Sequence, residues 1–134
     1  MSGKIITREF SIDDYDAALR IWERVKGIEI AEGDDRESVA QFLARNPGLS
    51  RVAADGSAII GVALCGHDGR RGHIYHLAVD PAYQSRGLGQ RLLDECLEGL
   101  RLTDRGTLFY NGQIPNESHV GRAPYRGGSA LEMT

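Results

Sequence analysis

The most informative segment of this chain runs from His76 to Leu93 and reads HLAVDPAYQSRGLGQRLL. Its first part has the apolar composition of a strand, and it ends at Asp80-Pro81 because proline cannot donate to a strand ladder. A loop with glycines at positions 87 and 89 follows, and leucines then recur at the spacing of an amphipathic helix. The segment therefore predicts a strand, a glycine-bearing loop and a helix start in direct succession.

The loop and the helix start together favour an anion. The first turn of a helix has backbone N–H groups without an internal partner, and the helix dipole adds about half a positive charge there. Gly87 and Gly89 allow close approach, and Arg86 adds a positive charge, so we predict a phosphate or pyrophosphate site. A Walker motif is absent because no Gly-Lys-Ser/Thr follows, and a Rossmann motif would need a small residue where Leu92 stands. A nucleotide phosphate stays open as an alternative ligand.

The flanking segments predict a sheet covered by helices. Predicted strands, with Asp55-Gly56 as a two-residue hairpin turn between the second and third, are Lys4–Glu9, Leu49–Ala54, Ser57–Gly66, Gly72–Val79 and Thr107–Tyr110. Predicted helices run from a cap at Ser11 to Gly27, from a cap at Asp34 or Asp35 to Asn46, and from Gly87 to Gly99. This order is typical of an α+β (mixed α/β) fold with a central, mostly antiparallel sheet flanked by helices.

Length and composition limit the protein class. The chain has 134 residues, so we expect a single domain over 1–134, of which about 111–134 is irregular because prolines and glycines interrupt every run. The net charge of −3 disfavours nucleic acid as a partner. The apolar run Ala58–Cys65 is too short to span a membrane, and neither a signal peptide nor a disulfide framework is expected, which favours the cytoplasm.

The segment His76–Leu93 closely resembles the coenzyme A-binding core of the GNAT N-acetyltransferase superfamily. The resemblance covers about residues 4–110, and Gly66–His76 is similar to a bacterial subgroup. It implies a GNAT-like fold and an acetyltransferase that moves an acetyl group from acetyl-CoA to a primary amine. The acceptor is either a small molecule or a protein N-terminus, whose amine attacks the thioester directly and without a metal.

The resemblance also implies which residues contact coenzyme A. The pantetheine arm pairs with the backbone of Leu77, Ala78 and Val79, whose N–H groups also polarise the thioester carbonyl. The pyrophosphate is held around the loop, by Gln84, Ser85, Arg86, Gly87, Leu88, Gly89 and Gln90.

Three residues are candidates for proton transfer. His76 lies beside the expected acetyl position, and an unperturbed histidine titrates near ~6.5, so it is a candidate base. Tyr75 is the neighbouring candidate, and because alternate side chains of a regular strand point to opposite faces, we expect one of the two to face the cleft. A bulge, which the family resemblance implies is common here, would disturb that alternation. Tyr125 matches the family position that protonates the departing thiolate, although Pro124 and two glycines depart from the family pattern and imply an atypical or shortened C-terminus.

Several alternatives stay open. The atypical C-terminus keeps a non-catalytic coenzyme A-binding module or sensor as a second interpretation, and a homodimer is possible. Glu29 and Glu32 are either surface residues or border the acceptor pocket, and His67, Asp68, Arg70 and Arg71 are either a solvated turn or substrate contacts. Cys65 and Cys96 are expected to be buried, and the spacing of His67, His73 and His76 matches no common metal site.

Overall fold

The protein is represented by a computed structural model that describes residues 4–68, 71–102, 107–111 and 131–133, with the backbone only for Arg71 and for the last two segments. The strands are β1 (Ile5–Glu9), β2 (Arg51–Asp55), β3 (Ala58–His67), β4 (Arg71–Val79), β5 (Thr107–Asn111) and β6 (Leu131–Met133). The helices are α1 (Tyr15–Arg24), α2 (Arg36–Arg45) and α3 (Leu88–Leu102), with short 3-10 turns at Ile12–Asp14 and Pro81–Tyr83. No helix within these ranges is long and apolar enough to cross a bilayer.

The strands form one sheet in the order β1-β2-β3-β4-β5-β6. Neighbours from β1 to β4 are antiparallel, whereas β5 runs parallel to β4 and β6 runs parallel to β5. The predicted α+β fold with a mostly antiparallel sheet is confirmed. β6 lies within 111–134, where no strand was predicted, and residues 112–130, including Tyr125, lie outside the described residues.

Each face of the sheet has its own buried core. On one face, α3 contributes Leu92, Leu93 and Cys96, which pack over β3 and β4. On the other face, α1 and α2 contribute buried residues such as Trp22 and Val39. The candidate site is on this second face, at the point where β4 becomes irregular.

The helix starts follow the predicted capping chemistry. The Ser11 side chain accepts from the Asp13 N–H at 3.2 Å, ahead of α1. Asp35, and not Asp34, caps α2, because its carboxylate accepts from the Ser38 N–H at 3.1 Å. Asp34 is thereby available for another contact.

Candidate active site

A β-bulge in β4 shapes the site. Leu64 of β3 pairs with Tyr75 and Val62 pairs with Ala78, so a step of two residues on β3 faces a step of three on β4. The extra residue allows His76 to adopt a φ of +53°, in the left-handed region that only a few per cent of non-glycine residues occupy.

The bulge turns two consecutive side chains toward the same space. Both Tyr75 and His76 line a cavity of about 580 Å³ between β4, α2 and the segment that joins α1 to α2. A regular strand would turn only one of the two toward the cleft. The bulge that the family resemblance allowed is present, and its inserted residue cancels the two-residue alternation locally.

Three contacts fix the His76 residue in this position. Its Nε2 lies 2.9 Å from Oδ2 of Asp34, and the two side chains are 18% and 15% exposed. Its carbonyl accepts a hydrogen bond of 3.1 Å from Nε1 of Trp22. The Trp22 ring also contacts the imidazole edge to face, with the ring centroids 5.0 Å apart.

Asp34 is a site residue that the sequence pattern did not identify. The spacing presented it only as one of two possible helix caps, and its contact with His76 joins residues 42 positions apart in the chain. Asp34 is itself held in place, since its Oδ2 accepts from the Ala31 N–H at 2.9 Å and its carbonyl accepts from the Tyr15 hydroxyl at 2.6 Å.

Tyr75 sits in an aromatic wall of the cavity. Its ring stacks on His73 with centroids 5.6 Å apart, and it meets Phe42 edge to face at 6.1 Å. Burial, and then the charge of Asp68, raise the pKa of Tyr75 above its ordinary value. The phenol is therefore neutral at physiological pH and can donate a proton or a hydrogen bond.

The remaining cavity wall combines an acidic rim with an apolar side. Glu29 and Glu32 line the cavity from the segment between α1 and α2, and both are exposed. Apolar side chains that line it are Ile28, Val39, Phe42 and Leu64. No lysine or arginine is among the described lining residues, so the cavity favours a cation over an anion.

The edge of β4 is open beyond the bulge. β5 pairs with β4 from Arg71 to Tyr75, and this pairing includes none of residues 76–79. On the opposite edge, Ala78 and Val79 still pair with Val62 and Gly61 of β3. Residues 76–79 thus have a strand neighbour on one side only within the described chain, and the open side can accept an extended ligand as an added strand.

The predicted anion loop begins where that open edge ends. The Gln84 side-chain amide donates to the Val79 carbonyl at 2.9 Å, which fixes the loop to the end of β4. Ser85 and Gly87 both have positive φ, +66° and +81°. A Cβ on Gly87 would meet no atom within 4 Å, so this glycine is required by its backbone conformation and faces open space.

The helix start at the end of the loop has the predicted geometry. The first helical hydrogen bond runs from the Arg91 N–H to the Gly87 carbonyl at 3.0 Å, so the N–H groups of residues 88–90 precede the helical ladder. Leu88 and Gly89 are buried, and the Gln90 side chain donates to Asp94 at 2.8 Å. The backbone amides, more than the side chains of residues 88–90, are therefore the groups suited to an anion.

The Arg86 side chain packs over an aromatic ring. Its guanidinium carbon lies 5.0 Å from the centroid of the Tyr83 ring, a cation–π contact, and the residue is exposed. The Tyr83 hydroxyl in turn donates to Asp55 at 2.7 Å. The β2–β3 hairpin, through Asp55, thus helps to place the cation beside the loop.

Other residues singled out from the sequence lie elsewhere. His67, Asp68 and His73 line a second cavity of about 460 Å³, which shares Phe42 and Tyr75 with the first. Arg70 lies outside the described residues, and the Arg71 side chain is not described.

The sequence predicts two buried cysteines and no metal site. Cys65 and Cys96 are both buried. A hydrogen bond with Cys96, and then burial, raise the pKa of the Cys65 thiol well above its ordinary value, so neither geometry nor chemistry favours an acyl-cysteine. Within the described ranges, no three His, Cys, Asp or Glu residues form a group that could hold a metal.

Comparison with known proteins identifies the family. The sequence profile of the acetyltransferase (GNAT) family matches residues 15–112, and the chain belongs to this family. It is 33% identical over 86 residues to an acetyltransferase of Pectobacterium atrosepticum and 31% identical over 86 residues to one of Sodalis glossinidius. Each alignment covers 64% of this chain and 60% of the relative, so the chain spans about three fifths of the length of these proteins.

Solved structures have the same fold. Ard1 from Thermoplasma volcanium superimposes with a TM-score of 0.65 at 20% identity, over 75% of this chain and 66% of that protein. The PaiA N-acetyltransferase from Thermoplasma acidophilum, solved in complex with coenzyme A, has a TM-score of 0.63 at 18% identity, over 75% and 74%. At these identities the likeness concerns the fold alone.

Proposed function

We propose that this chain forms a single domain over 1–134 that transfers an acetyl group from acetyl-CoA to a primary amine. The observation that carries the proposal is the open edge of β4 over residues 76–79, which lies between the anion loop and the cavity. A thioester laid along this edge has its phosphates at residues 84–90 and its acetyl group near His76. Membership of the GNAT family and the coenzyme A complexes of two structural neighbours support this assignment.

The loop and the strand edge have separate tasks in coenzyme A binding. Around the loop, Gln84, Ser85, Arg86, Gly87, Leu88, Gly89 and Gln90 surround the proposed pyrophosphate position, with Gln84 acting through the Val79 carbonyl. The backbone of Leu77, Ala78 and Val79 pairs with the pantetheine arm and directs N–H groups at the thioester carbonyl. These N–H groups stabilise the negative charge that develops on the carbonyl oxygen during attack.

Proton transfer is assigned to the bulge. His76 accepts the proton that the amine must lose before its nitrogen attacks the thioester carbonyl carbon. The departing thiolate then takes a proton from a tyrosine. Tyr75, which lines the same cavity and is neutral, is one candidate donor, and Tyr125 stays a prediction outside the described residues.

The cavity sets the acceptor class. Amines are cations in solution at neutral pH, and the rim residues Glu29 and Glu32 attract them toward His76. The volume of about 580 Å³ admits either a small amine or the end of a peptide. Structural neighbours include the ribosomal-protein-S18-alanine N-acetyltransferase of Escherichia coli and a NatC complex bound to a peptide, which keeps protein N-termini among the acceptors to test.

The test combines turnover with coenzyme A affinity. Wild-type protein is mixed with acetyl-CoA and a panel of polyamines, amino acids, aminoglycosides and peptides, and thiol release is recorded. Calorimetry of Arg86→Glu should give about a tenfold higher Kd for coenzyme A, because a carboxylate then faces the pyrophosphate across partly screened solvent. Arg20→Glu makes the same charge change on the exposed side of α1 and should leave Kd unchanged.

Each other outcome has a defined meaning. Equal affinity for Arg86→Glu and wild type removes Arg86 from the contact set. Coenzyme A binding without thiol release on any amine supports the non-catalytic module, and equal competition by ATP supports a nucleotide site. A homodimer and a cytoplasmic location remain predictions, to be checked by light scattering and by fractionation.

A further inference from the structure

The carboxylate of Asp34 contacts the ring nitrogen of His76 at the base of the cavity. We propose that Asp34 is a positioning residue that acts through His76: it holds the imidazole in one tautomer, with the proton on Nε2 and the base at Nδ1. The proposal rests on the proposed acetyl transfer and adds to it the atom that accepts the proton.

The chemistry of the two groups sets the tautomer. An ionised carboxylate only accepts hydrogen bonds, so a contact of 2.9 Å between Oδ2 and Nε2 requires the hydrogen to be on Nε2. A neutral imidazole has one hydrogen, and Nδ1 must then have the lone pair. Without the carboxylate, both tautomers are available and part of the population has the wrong nitrogen protonated.

The imidazole cannot easily turn away from this partner. The carbonyl of His76 is bonded to Trp22, and the Trp22 ring packs against the imidazole. The Trp22 side chain is fully buried, so it is a fixed wall for the ring. The backbone of His76 is left-handed, and its carbonyl is held by Trp22. A rotation of the imidazole would therefore break the contact between Nε2 and Asp34.

Hydrogen bonds within the protein hold Asp34 in place before any ligand binds. The Ala31 N–H donates to its Oδ2, the Asp34 N–H donates to the Ala31 carbonyl at 3.0 Å, and the Tyr15 hydroxyl donates to its carbonyl. These bonds tie the carboxylate to a short turn and to the first turn of α1. Little side-chain entropy is then lost when the imidazole pairs with it.

The transfer step balances with this assignment. The protonated amine gives one proton to Nδ1, and its nitrogen then bonds to the thioester carbonyl carbon. When the C–S bond breaks, the sulfur leaves with the bonding electrons and takes a proton from the tyrosine, and the second nitrogen proton that is lost restores the tyrosine. The products are the amide and the coenzyme A thiol, with the remaining proton on the His76 imidazole. The imidazolium formed at His76 is stabilised by the Asp34 carboxylate 2.9 Å from Nε2.

Other charged groups near His76 are weaker influences. Glu29, Glu32 and Tyr75 line the same cavity, whereas the α2 residues that line it, Ser38, Val39 and Phe42, carry no charge, and α1 contributes the neutral Trp22. Glu29 and Glu32 are exposed, and water screens their charges. Asp34 is the carboxylate in hydrogen-bond contact, so its substitution should affect His76 more than substitution of Glu29 or Glu32.

The kinetic test uses Asp34→Asn, which keeps the size of the side chain and removes its negative charge. We expect kcat to fall by about tenfold to a hundredfold while KM changes by less than about twofold. Asp34→Glu, which restores a carboxylate, should recover part of the activity.

The matched control is Asp35→Asn, the same change one residue further along. Asp35 caps α2 and does not line the cavity, and asparagine is an equally good cap, so kcat should stay at the wild-type value. An Asp34→Asn enzyme with wild-type kcat would overturn the proposal while leaving acetyl transfer intact.

A second measurement needs no turnover. The nitrogen NMR signals of the imidazole, assigned by their loss in His76→Gln, report which nitrogen has the hydrogen. We expect Nε2–H in the free wild-type protein and a mixed population of both tautomers in Asp34→Ala, which removes the acceptor oxygen from Nε2. Nδ1–H in the wild type would refute the proposal, whereas absence of thiol release with every amine would refute the proposed function and leave this measurement unaffected.

Discussion

The left-handed backbone at His76 predicts an inverted response to glycine. At an ordinary strand position, alanine is more stable than glycine by about 0.5–1 kcal/mol, because glycine loses more backbone freedom on folding. At a φ of +53°, the alanine Cβ costs about 1–2 kcal/mol that glycine avoids. We therefore expect the free energy of unfolding of His76→Gly to be about 0.5–1 kcal/mol higher than that of His76→Ala.

Both variants lose the imidazole, so the contacts with Asp34 and Trp22 cancel in the comparison. The control pair is Ile6→Gly and Ile6→Ala on β1, a half-exposed position without positive φ, where alanine should be the more stable. The difference between the two pairs isolates the strain, at about 1–2 kcal/mol.

The assay is urea unfolding followed by tryptophan fluorescence. The chain has a single tryptophan, Trp22, which is fully buried and next to His76, so its emission reports loss of this part of the fold. If His76→Gly is less stable than His76→Ala by the same amount as at Ile6, the bulge does not hold position 76 in the left-handed region. The account of why two consecutive side chains share the cavity would then fail.

Two further predictions concern stability. Gly66→Ala should lower the free energy of unfolding by about 1–3 kcal/mol in urea melts, because its Cβ would lie 2.6 Å from the Phe42 ring and 2.7 Å from the buried Asn46 amide. Asp14→Asn should remove a contribution to the free energy of unfolding that depends on pH. Burial raises the pKa of Asp14, but its hydrogen bonds with Arg8 and a backbone N–H outweigh burial and place the pKa below its ordinary value. This contribution is present above about pH 4 and is lost as pH falls through the lowered pKa, so the stability gap between wild type and variant should narrow below about pH 4.

Each of these has a matched control. Gly61→Ala meets its nearest neighbour, the flexible end of Leu92, at 3.1 Å, so it should cost less than Gly66→Ala. Equal losses at both glycines would contradict the steric reason. The control for Asp14→Asn is Asp13→Asn, which changes a carboxylate outside the Arg8 ion pair. If the difference in free energy of unfolding between wild type and Asp13→Asn also narrows in acid, the effect is not specific to Asp14.

Local patterns predicted most of the elements because each depends on neighbouring residues. The cap at Ser11 and the loop before α3 follow from short-range chemistry. The predicted β2–β3 hairpin is also present, but its two-residue turn is Gly56-Ser57, one position later than the predicted Asp55-Gly56, because Asp55 still pairs with Ala58.

The candidate site was predicted less completely. The anion loop could be recognised because its glycines and its arginine are consecutive. The pairing of Asp34 with His76 could not, because it joins the α1–α2 connection to the middle of β4 across 42 residues. Nothing in the spacing of Gly33, Asp34 and Asp35 indicates which of the two acids caps the helix and which enters the cavity.

The order of the elements from β1 to β5, the glycine-bearing loop before α3 and the family resemblance were thus already present in the residue order, because backbone sterics and helix capping act over a few residues. The bulge at His76, the shared orientation of Tyr75 and the Asp34 partner arise from the folded chain. They depend on how β4 registers against β3 and on what α1 places above it, and long-range packing is not encoded in any short run of residues.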